Sequence, residues 1–288
     1  MNNLITLKRG KVAAKINPEN GQLVSLVSNN VEYFHEGGLT DYAGEGWKNS
    51  EIVPFPIFGP AADYKVKVGN NFFSLEQHGI SRYTKLNIFN VKNKRQDKIV
   101  LLQDYDGYKL ANPKYEKDGV HPRFMNWLPY TLEKTFELTD NGLVCELKLT
   151  NVSDIEMPYM IGWHPAFKTQ GSVKNGVFIT EGREVATLEN VIKASTDPNK
   201  GACYVLGQSS ITYLDKESKL GVKVSSSDFG DFVMLWSPGK NAGMFCIEHS
   251  SQVPGAAEYF VDKREFELIE PGETKKYRIL IELLAPQA

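Results

Sequence analysis

Cysteine is scarce in this chain, and neither sign of charge is in excess. The 288 residues include three cysteines and carry a formal net charge of −2. Cys145, Cys203 and Cys246 form no CxxC pair, so we expect reduced thiols and a cytoplasmic protein. A net charge this small supplies no basic field, and we expect neither nucleic acid nor a membrane surface as a partner.

Long apolar runs and familiar catalytic motifs are also missing. The longest apolar runs have the length of strands, well short of the roughly 20 residues that a membrane-spanning helix needs. The first residues, Met1 to Thr6, lack the pattern of a signal peptide. The sequence contains no GxSxG, P-loop, GxGxxG, HxH or HExxH pattern. We therefore expect no cofactor and no metal ion.

Alternation of apolar and polar residues is the dominant pattern that is present. It predicts β-strands, and turn residues between alternating runs predict four hairpins, at 64–75, 132–149, 211–224 and 265–283. Turns recur about every ten residues without a linker or a repeat, which predicts stacked antiparallel sheets. The fold class is therefore all-β, in one domain over residues 1–288.

Three irregular stretches interrupt this pattern, at 37–62, 110–129 and 193–208. They are long for loops, so we expect them to line a site or to carry short helices.

His164 is the first candidate site residue. It follows an apolar run and precedes Pro165, which pushes it toward an extended conformation, so its ring is expected to leave the end of a strand. A histidine there suits a general acid, because it titrates near physiological pH. The alternative is a buried histidine whose only role is a hydrogen bond to the backbone.

Two further segments supply an imidazole and a carboxylate. In His78-Gly79-Ile80-Ser81-Arg82, the glycine either brings the backbone close to a ligand or permits a turn, and Arg82 either is structural or binds a hydroxyl or phosphate. Glu248 follows the apolar run Met244-Phe245-Cys246-Ile247. Desolvation there would raise its pKa and suit a general base, and the alternative is a solvated strand end.

Two neighbours of these segments carry weaker signals. His249 beside Glu248 suggests a metal ligand, but no further ligand stands at the usual spacing. Trp236 is either a core residue or a platform on which a sugar ring stacks.

Taken in order, the chain resembles the aldose 1-epimerase (galactose mutarotase-like) family, and most closely its bacterial mutarotase-like branch. The resemblance extends over nearly the whole chain and rests on these segments: residues 21–25 with 30–33, 55–59, 78–82, 149–153, 157–167, 235–238 with 245–248, and 268–273.

The resemblance implies a β-supersandwich that interconverts sugar anomers. The two active-site histidines of the family fall on His78 and His164, and its catalytic glutamate falls on Glu248. Pro60 stands where the family usually has an arginine, and a substrate-binding aspartate has no clear counterpart, with Asp215 and Asp228 as the candidates.

The expected protein is an aldose 1-epimerase that needs no cofactor. Glu248 would take the proton of the anomeric hydroxyl, His164 would protonate the ring oxygen, and His78, Arg82 and Trp236 would bind the sugar. Two alternatives remain: a carbohydrate-binding or regulatory protein on the same scaffold, and a hexose-6-phosphate 1-epimerase with Arg82 and Lys48 facing the phosphate. We expect a monomer or a homodimer with a small-molecule sugar as its partner.

Overall fold

The computed structural model describes residues 4–35, 50–84, 95–116, 119–239, 241, 243–253 and 266–286. Strands dominate this part of the chain, and in chain order they are β1 (Ile5–Arg9), β2 (Val12–Asn17), β3 (Gln22–Ser28), β4 (Val31–Glu32), β5 (Glu51–Ile52), β6 (Lys65–Val68), β7 (Asn71–Ser74), β8 (Lys98–Tyr105), β9 (Leu110–Ala111), β10 (Phe124–Met125), β11 (Tyr130–Thr139), β12 (Gly142–Asn151), β13 (Met157–Tyr159), β14 (Gly162–Lys168), β15 (Gly176–Thr180), β16 (Arg183–Thr187), β17 (Cys203–Leu206), β18 (Ser210–Asp215), β19 (Gly221–Ser225), β20 (Phe232–Trp236), β21 (Met244–Ser250), β22 (Glu267–Ile269) and β23 (Thr274–Leu284).

The strands form three large sheets and three two-stranded ones. The largest has the order β16-β15-β18-β19-β23-β12-β11-β8, the second β17-β20-β21-β14-β5, and the third β1-β2-β3-β4. The small sheets pair β10 with β9, β13 with β22 and β6 with β7. All of these strand pairs are antiparallel, as the alternation predicts.

Three of the four predicted hairpins are confirmed, as β6–β7, β11–β12 and β18–β19. The fourth prediction, at 265–283, is wrong. A tight turn does join β22 to β23, with the Glu273 amide donating to the Glu270 carbonyl at 2.9 Å. The two strands then separate, because β22 pairs with β13 while β23 fills the gap between β12 and β19 in the largest sheet.

A continuous apolar core joins the sheets. It contains aromatic side chains from several of them, among them Tyr33, Phe136, Trp163 and Phe245, all at most 1% exposed. The α-helix described in the chain is α1 (Leu188–Ser195), which begins at Thr187, whose hydroxyl accepts a hydrogen bond from the Asn190 amide. No helix among the described residues is both long and apolar enough to cross a membrane.

The irregular stretches hold short strands that their prediction did not include, and the described part of 110–129 carries no helix. The stretch 193–208 contains the end of α1 and β17, the stretch 110–129 contains β9 and β10, and residues 50–62 contain β5. Residues 36–49 lie outside the described part of the chain, and so does Lys48.

Candidate active site

An open cavity lies on one face of the five-stranded sheet. Its volume is about 570 Å³, within the range of small-molecule sites. The described residues that line it are Phe58, Gly59, Pro60, Gln77, His78, Arg82, His164, Pro198, Asn199, Lys200, Gly201, Ala202, Tyr204, Met234, Trp236 and Glu248. All five predicted site residues, His78, Arg82, His164, Trp236 and Glu248, border this cavity.

His164 and Glu248 reach the cavity from inside strands. The sequence placed both at strand ends, but β14 continues to Lys168 and β21 to Ser250. Successive side chains of a strand point to opposite faces. Trp163 therefore turns into the core, where its Nε1 donates to Glu51 at 2.8 Å, while His164 faces the cavity.

The pairing of β14 with β21 brings the two groups together. Trp163 lies opposite His249 and Ala166 lies opposite Cys246, which leaves His164 facing Glu248. His164 Nε2 lies 3.3 Å from Glu248 Oε2. Both Glu248 oxygens are buried and have no hydrogen-bond partner among the described residues, so the 3.3 Å approach is close but not aligned as a hydrogen bond.

Burial shifts the pKa values of this pair in opposite directions. Desolvation raises the pKa of Glu248 well above its ordinary value. Desolvation, with a smaller contribution from the charge of Arg82, lowers the pKa of His164 to about 3. In the protein alone, a proton shared by the two groups is thus favoured on the carboxyl and not on the imidazole.

His78 lies in a short segment of backbone with left-handed conformation. His78 and Gly79 both have positive φ, +65° and +75°. A Cβ on Gly79 would overlap the carbonyl oxygen of Phe55, so the position needs glycine both for its φ and for the close approach. Of the two roles that the sequence left open for this glycine, the turn is present, and the close approach is to the Phe55 backbone.

The backbone also fixes which nitrogen of His78 carries a proton. The Gly59 amide donates to Nδ1 of His78 at 3.1 Å. The neutral ring therefore carries its proton on Nε2, and the Gln77 side-chain amide 3.3 Å away can accept that proton only through its oxygen. Desolvation, then the charges of His164, Arg82 and Lys114, lower the pKa of His78 well below its ordinary value. The ring thus presents a neutral N–H donor.

Aromatic rings enclose the two imidazoles. The His78 and His164 rings lie 5.4 Å apart, edge to face, and Phe58 stacks over His164 at 6.5 Å. Gly162 makes room for this arrangement, since a Cβ there would collide with the Phe58 ring. Trp236 lies 6.1 Å from the His164 ring and borders the cavity.

Arg82 and Lys200 bring positive charge to the cavity. Arg82 forms no ion pair with another described residue, and its guanidinium lies 5.0 Å from the Tyr83 ring centre. Pro60 also borders the cavity, at the position where the resemblance implied an arginine.

Three residues that the sequence offered as candidates lie elsewhere. Asp215 is buried and accepts hydrogen bonds from its own turn, and Asp228 accepts from the Arg278 amide at 2.8 Å. Neither borders the cavity. His249 points away from Glu248 because it is the next residue of the same strand, and its Nε2 lies 3.2 Å from the Ser209 carbonyl.

Two residues of the cavity lining, Lys200 and Tyr204, were not predicted from the sequence. Tyr204 lies opposite Met234, and Met234 lies opposite Glu248, so these side chains form one row across β17, β20 and β21. Burial raises the pKa of Tyr204, and the charge of Glu248 adds to this shift. The only signal in the sequence is the short alternation of β17, inside a stretch that was predicted to be irregular.

Solved structures that share this architecture include galactose mutarotase-like proteins. A galactose mutarotase-like protein from Lactobacillus casei ATCC 334 matches with a TM-score of 0.74 at 19% identity, over 98% of this chain and 100% of that one. A galactose mutarotase related enzyme from Lactobacillus acidophilus matches with a TM-score of 0.70 at 17% identity, over 97% of each chain. An aldose epimerase homologue from C. elegans matches with a TM-score of 0.66 at 12% identity, over 100% of each chain.

The chain therefore has the galactose mutarotase-like β-supersandwich fold, as its sequence predicted. No family model and no curated protein matches it.

Proposed function

We propose that this protein is an isomerase, an aldose 1-epimerase that interconverts the α and β anomers of a hexose. The proposal rests mainly on one observation: His164 Nε2 and Glu248 Oε2 lie 3.3 Å apart on an open cavity, and burial moves their pKa values in opposite directions. Pairs of groups whose environments separate their pKa values are typical of acid–base catalysis.

The reaction needs one proton on this pair. One group accepts the proton of the anomeric hydroxyl while the other donates a proton to the ring oxygen. The bond between C1 and the ring oxygen breaks, and C1 becomes an aldehyde carbon. Rotation about the C1–C2 bond exposes the other face of the aldehyde. Closure then returns both protons and gives the other anomer, so nothing is consumed.

The direction of the first transfer follows from where the proton sits. With Glu248 as base, as the resemblance implies, the shared proton must be on His164 when the ring opens. In the protein alone the carboxyl is the favoured site, so the sugar hydroxyls must stabilise the carboxylate and draw the proton across the 3.3 Å gap. Because ring closure uses the two groups in exchanged roles, catalysis requires both and requires one proton between them.

The remaining cavity residues suit sugar binding. His78 offers its Nε2 proton to a hydroxyl or to the developing charge on the ring oxygen, and Trp236 offers a ring face to the apolar side of a pyranose. The cavity holds a single hexose comfortably.

A hexose-6-phosphate is a second candidate substrate. A phosphate site normally contains more than one cationic side chain. The cavity lining contains two, Arg82 and Lys200. A comparison of neutral hexoses with hexose 6-phosphates distinguishes this alternative from a neutral-sugar epimerase.

Exchange spectroscopy by NMR tests the proposal. Neutral hexoses, pentoses and hexose 6-phosphates are each brought to anomeric equilibrium, and magnetisation transfer between the two anomeric protons is measured with and without protein. We expect transfer to exceed the spontaneous rate for at least one sugar. A protein that binds sugars but never exceeds the spontaneous rate is a carbohydrate-binding protein and not an epimerase.

A further inference from the structure

A thiol lies directly beside the proton-transfer pair. Cys246 precedes Glu248 by two residues in β21, so both side chains leave the same face of the strand. Cys246 is fully buried under Trp236, against Ala166 and Met244. One ligand atom each of His164, Cys246 and Glu248 lie within 4.8 Å of one another.

These three side chains are a ligand set of the kind that zinc prefers. Imidazole nitrogen, thiolate sulfur and carboxylate oxygen are its usual protein ligands, and three of them with one open position are typical of accessible zinc sites. The two Glu248 oxygens are buried and lack a hydrogen-bond partner among the described residues. A carboxylate in that situation is costly unless a cation or a hydrogen-bond donor reaches it.

The cavity provides the remaining coordination position. His164 and Glu248 both border it, so a cation between them and Cys246 would face the open space with its fourth ligand a water molecule. Ligand atoms on one tetrahedral ion lie closer together than the 4.8 Å that bounds this set, so the site requires the Cys246 and Glu248 side chains to rotate toward the ion.

We propose that His164, Cys246 and Glu248 form a binding site for a thiophilic divalent cation such as Zn²⁺, and that this cation and the sugar exclude each other. The exclusion rests on the proposed function, whereas metal binding does not. Coordination uses the neutral imidazole nitrogen and removes the protons of the thiol and of the carboxyl, which pass to solvent. The cation then occupies the lone pairs that ring opening needs, so it acts as an inhibitor.

Cobalt and zinc binding test the site on the complete protein after treatment with a chelator. Co²⁺ should bind one equivalent per chain and show the absorption of a thiolate–cobalt bond. X-ray absorption of the Zn²⁺ complex should show sulfur scattering at about 2.3 Å. Both measurements use the unaltered protein. Cobalt binding without thiolate absorption, or zinc without a sulfur neighbour, would overturn the proposal.

Substitutions separate Cys246 from the other thiols. Cys246→Ser should weaken Zn²⁺ binding at least about tenfold, as loss of a ligand requires. Cys203→Ser is the matched control, because Cys203 lies opposite Leu235 on the other face of β17 from Tyr204, and it should leave Zn²⁺ affinity unchanged. Equal Zn²⁺ affinity in Cys246→Ser and the native protein would refute the site.

Inhibition is measured as the anomer-exchange rate with Zn²⁺ relative to the metal-free rate of the same variant. Zn²⁺ should inhibit the native protein and the Cys203→Ser control alike, and Cys246→Ser should need at least about tenfold more Zn²⁺. The chelator should leave exchange undiminished, and loss of exchange on chelation would overturn the inhibitory role. If the native protein exchanges no sugar but binds cobalt through its thiolate, the proposed function fails and the metal site stands.

Discussion

His164 and Glu248 face each other across the antiparallel pair β14–β21, with Nε2 and Oε2 3.3 Å apart. Each belongs to a motif that is short and weak when taken alone. Their opposition follows from strand register, because one residue of slip in either strand would turn one group into the core.

The pH dependence of anomer exchange should reflect a pair that holds one proton. Because the pKa of His164 is lowered to about 3, kcat/KM should stay level as the pH falls through about 6.5, the ordinary histidine value. It should decrease as the pH rises through the raised pKa of Glu248, where the shared proton is lost. Exchange rates of chelated protein, corrected for the spontaneous reaction, measure both limbs. A loss of kcat/KM as the pH falls, centred near the ordinary histidine value of about 6.5, would contradict this assignment.

Tyr204→Phe should weaken sugar binding and leave turnover nearly unchanged. Tyr204 borders the cavity in the same row as Met234 and Glu248, and we expect its hydroxyl to bond a sugar hydroxyl. Loss of one such bond should raise KM roughly 2- to 10-fold. Steady-state exchange kinetics give KM and kcat, and Tyr115→Phe, outside the cavity lining, serves as the control. An unchanged KM for every accepted sugar would remove Tyr204 from the binding site.

Gly79→Ala should destabilise the fold and lower exchange activity. Alanine would face both a positive φ and overlap with the Phe55 carbonyl. Gly10 also has positive φ, +54°, but has open space around it, so Gly10→Ala isolates the cost of the backbone conformation. Chemical denaturation should show Gly79→Ala to be less stable than Gly10→Ala by about 1–3 kcal/mol. Equal losses in the two variants would mean that the close approach to Phe55 is unimportant.

Stability should decrease as the pH falls from about 6.5 toward 4, partly because of His249. Burial lowers the pKa of His249 to about 4. Between this value and the ordinary one, the imidazole is protonated in the unfolded chain and neutral in the folded chain. The stabilisation is present above the unfolded value and is lost as the pH falls below it. His249→Gln should flatten the slope of unfolding free energy by up to about 1.4 kcal/mol per pH unit in this window.

Urea denaturation at several pH values measures that slope in His249→Gln and in the native protein. Glu248 contributes with the opposite sign, because its raised pKa makes stability fall as pH rises. This contribution of Glu248 is the same in His249→Gln and in the native protein, so it cancels when their slopes are compared. Parallel curves for His249→Gln and the native protein would show that this imidazole titrates as it does in the unfolded chain.

Local sequence patterns predicted much of this structure. The features that they did not predict depend on pairing between strands that are distant in the sequence. Alternation and turn residues predicted the antiparallel sheets, and short motifs led to His78, His164 and Glu248. The predicted hairpin at 265–283 is wrong because turn chemistry is local, whereas β22 and β23 pair with strands that lie much earlier in the chain. Tyr204 was missed for the same reason, since only the order β17-β20-β21-β14 places it in a row with Glu248.

Anomer exchange by magnetisation transfer in four proteins tests the acid–base pair most directly: the native chain, Glu248→Gln, His164→Asn and the double variant. Each single substitution keeps approximate shape but removes one proton carrier, so each should lower kcat by about 10²–10⁴-fold. Because ring opening needs both groups, the double variant should be no slower than the slower single variant. Glu282→Gln, at a half-exposed residue of β23 paired with Lys223, should match the native rate. Near-native exchange in Glu248→Gln, or losses that multiply in the double variant, would contradict the pair as the catalytic unit.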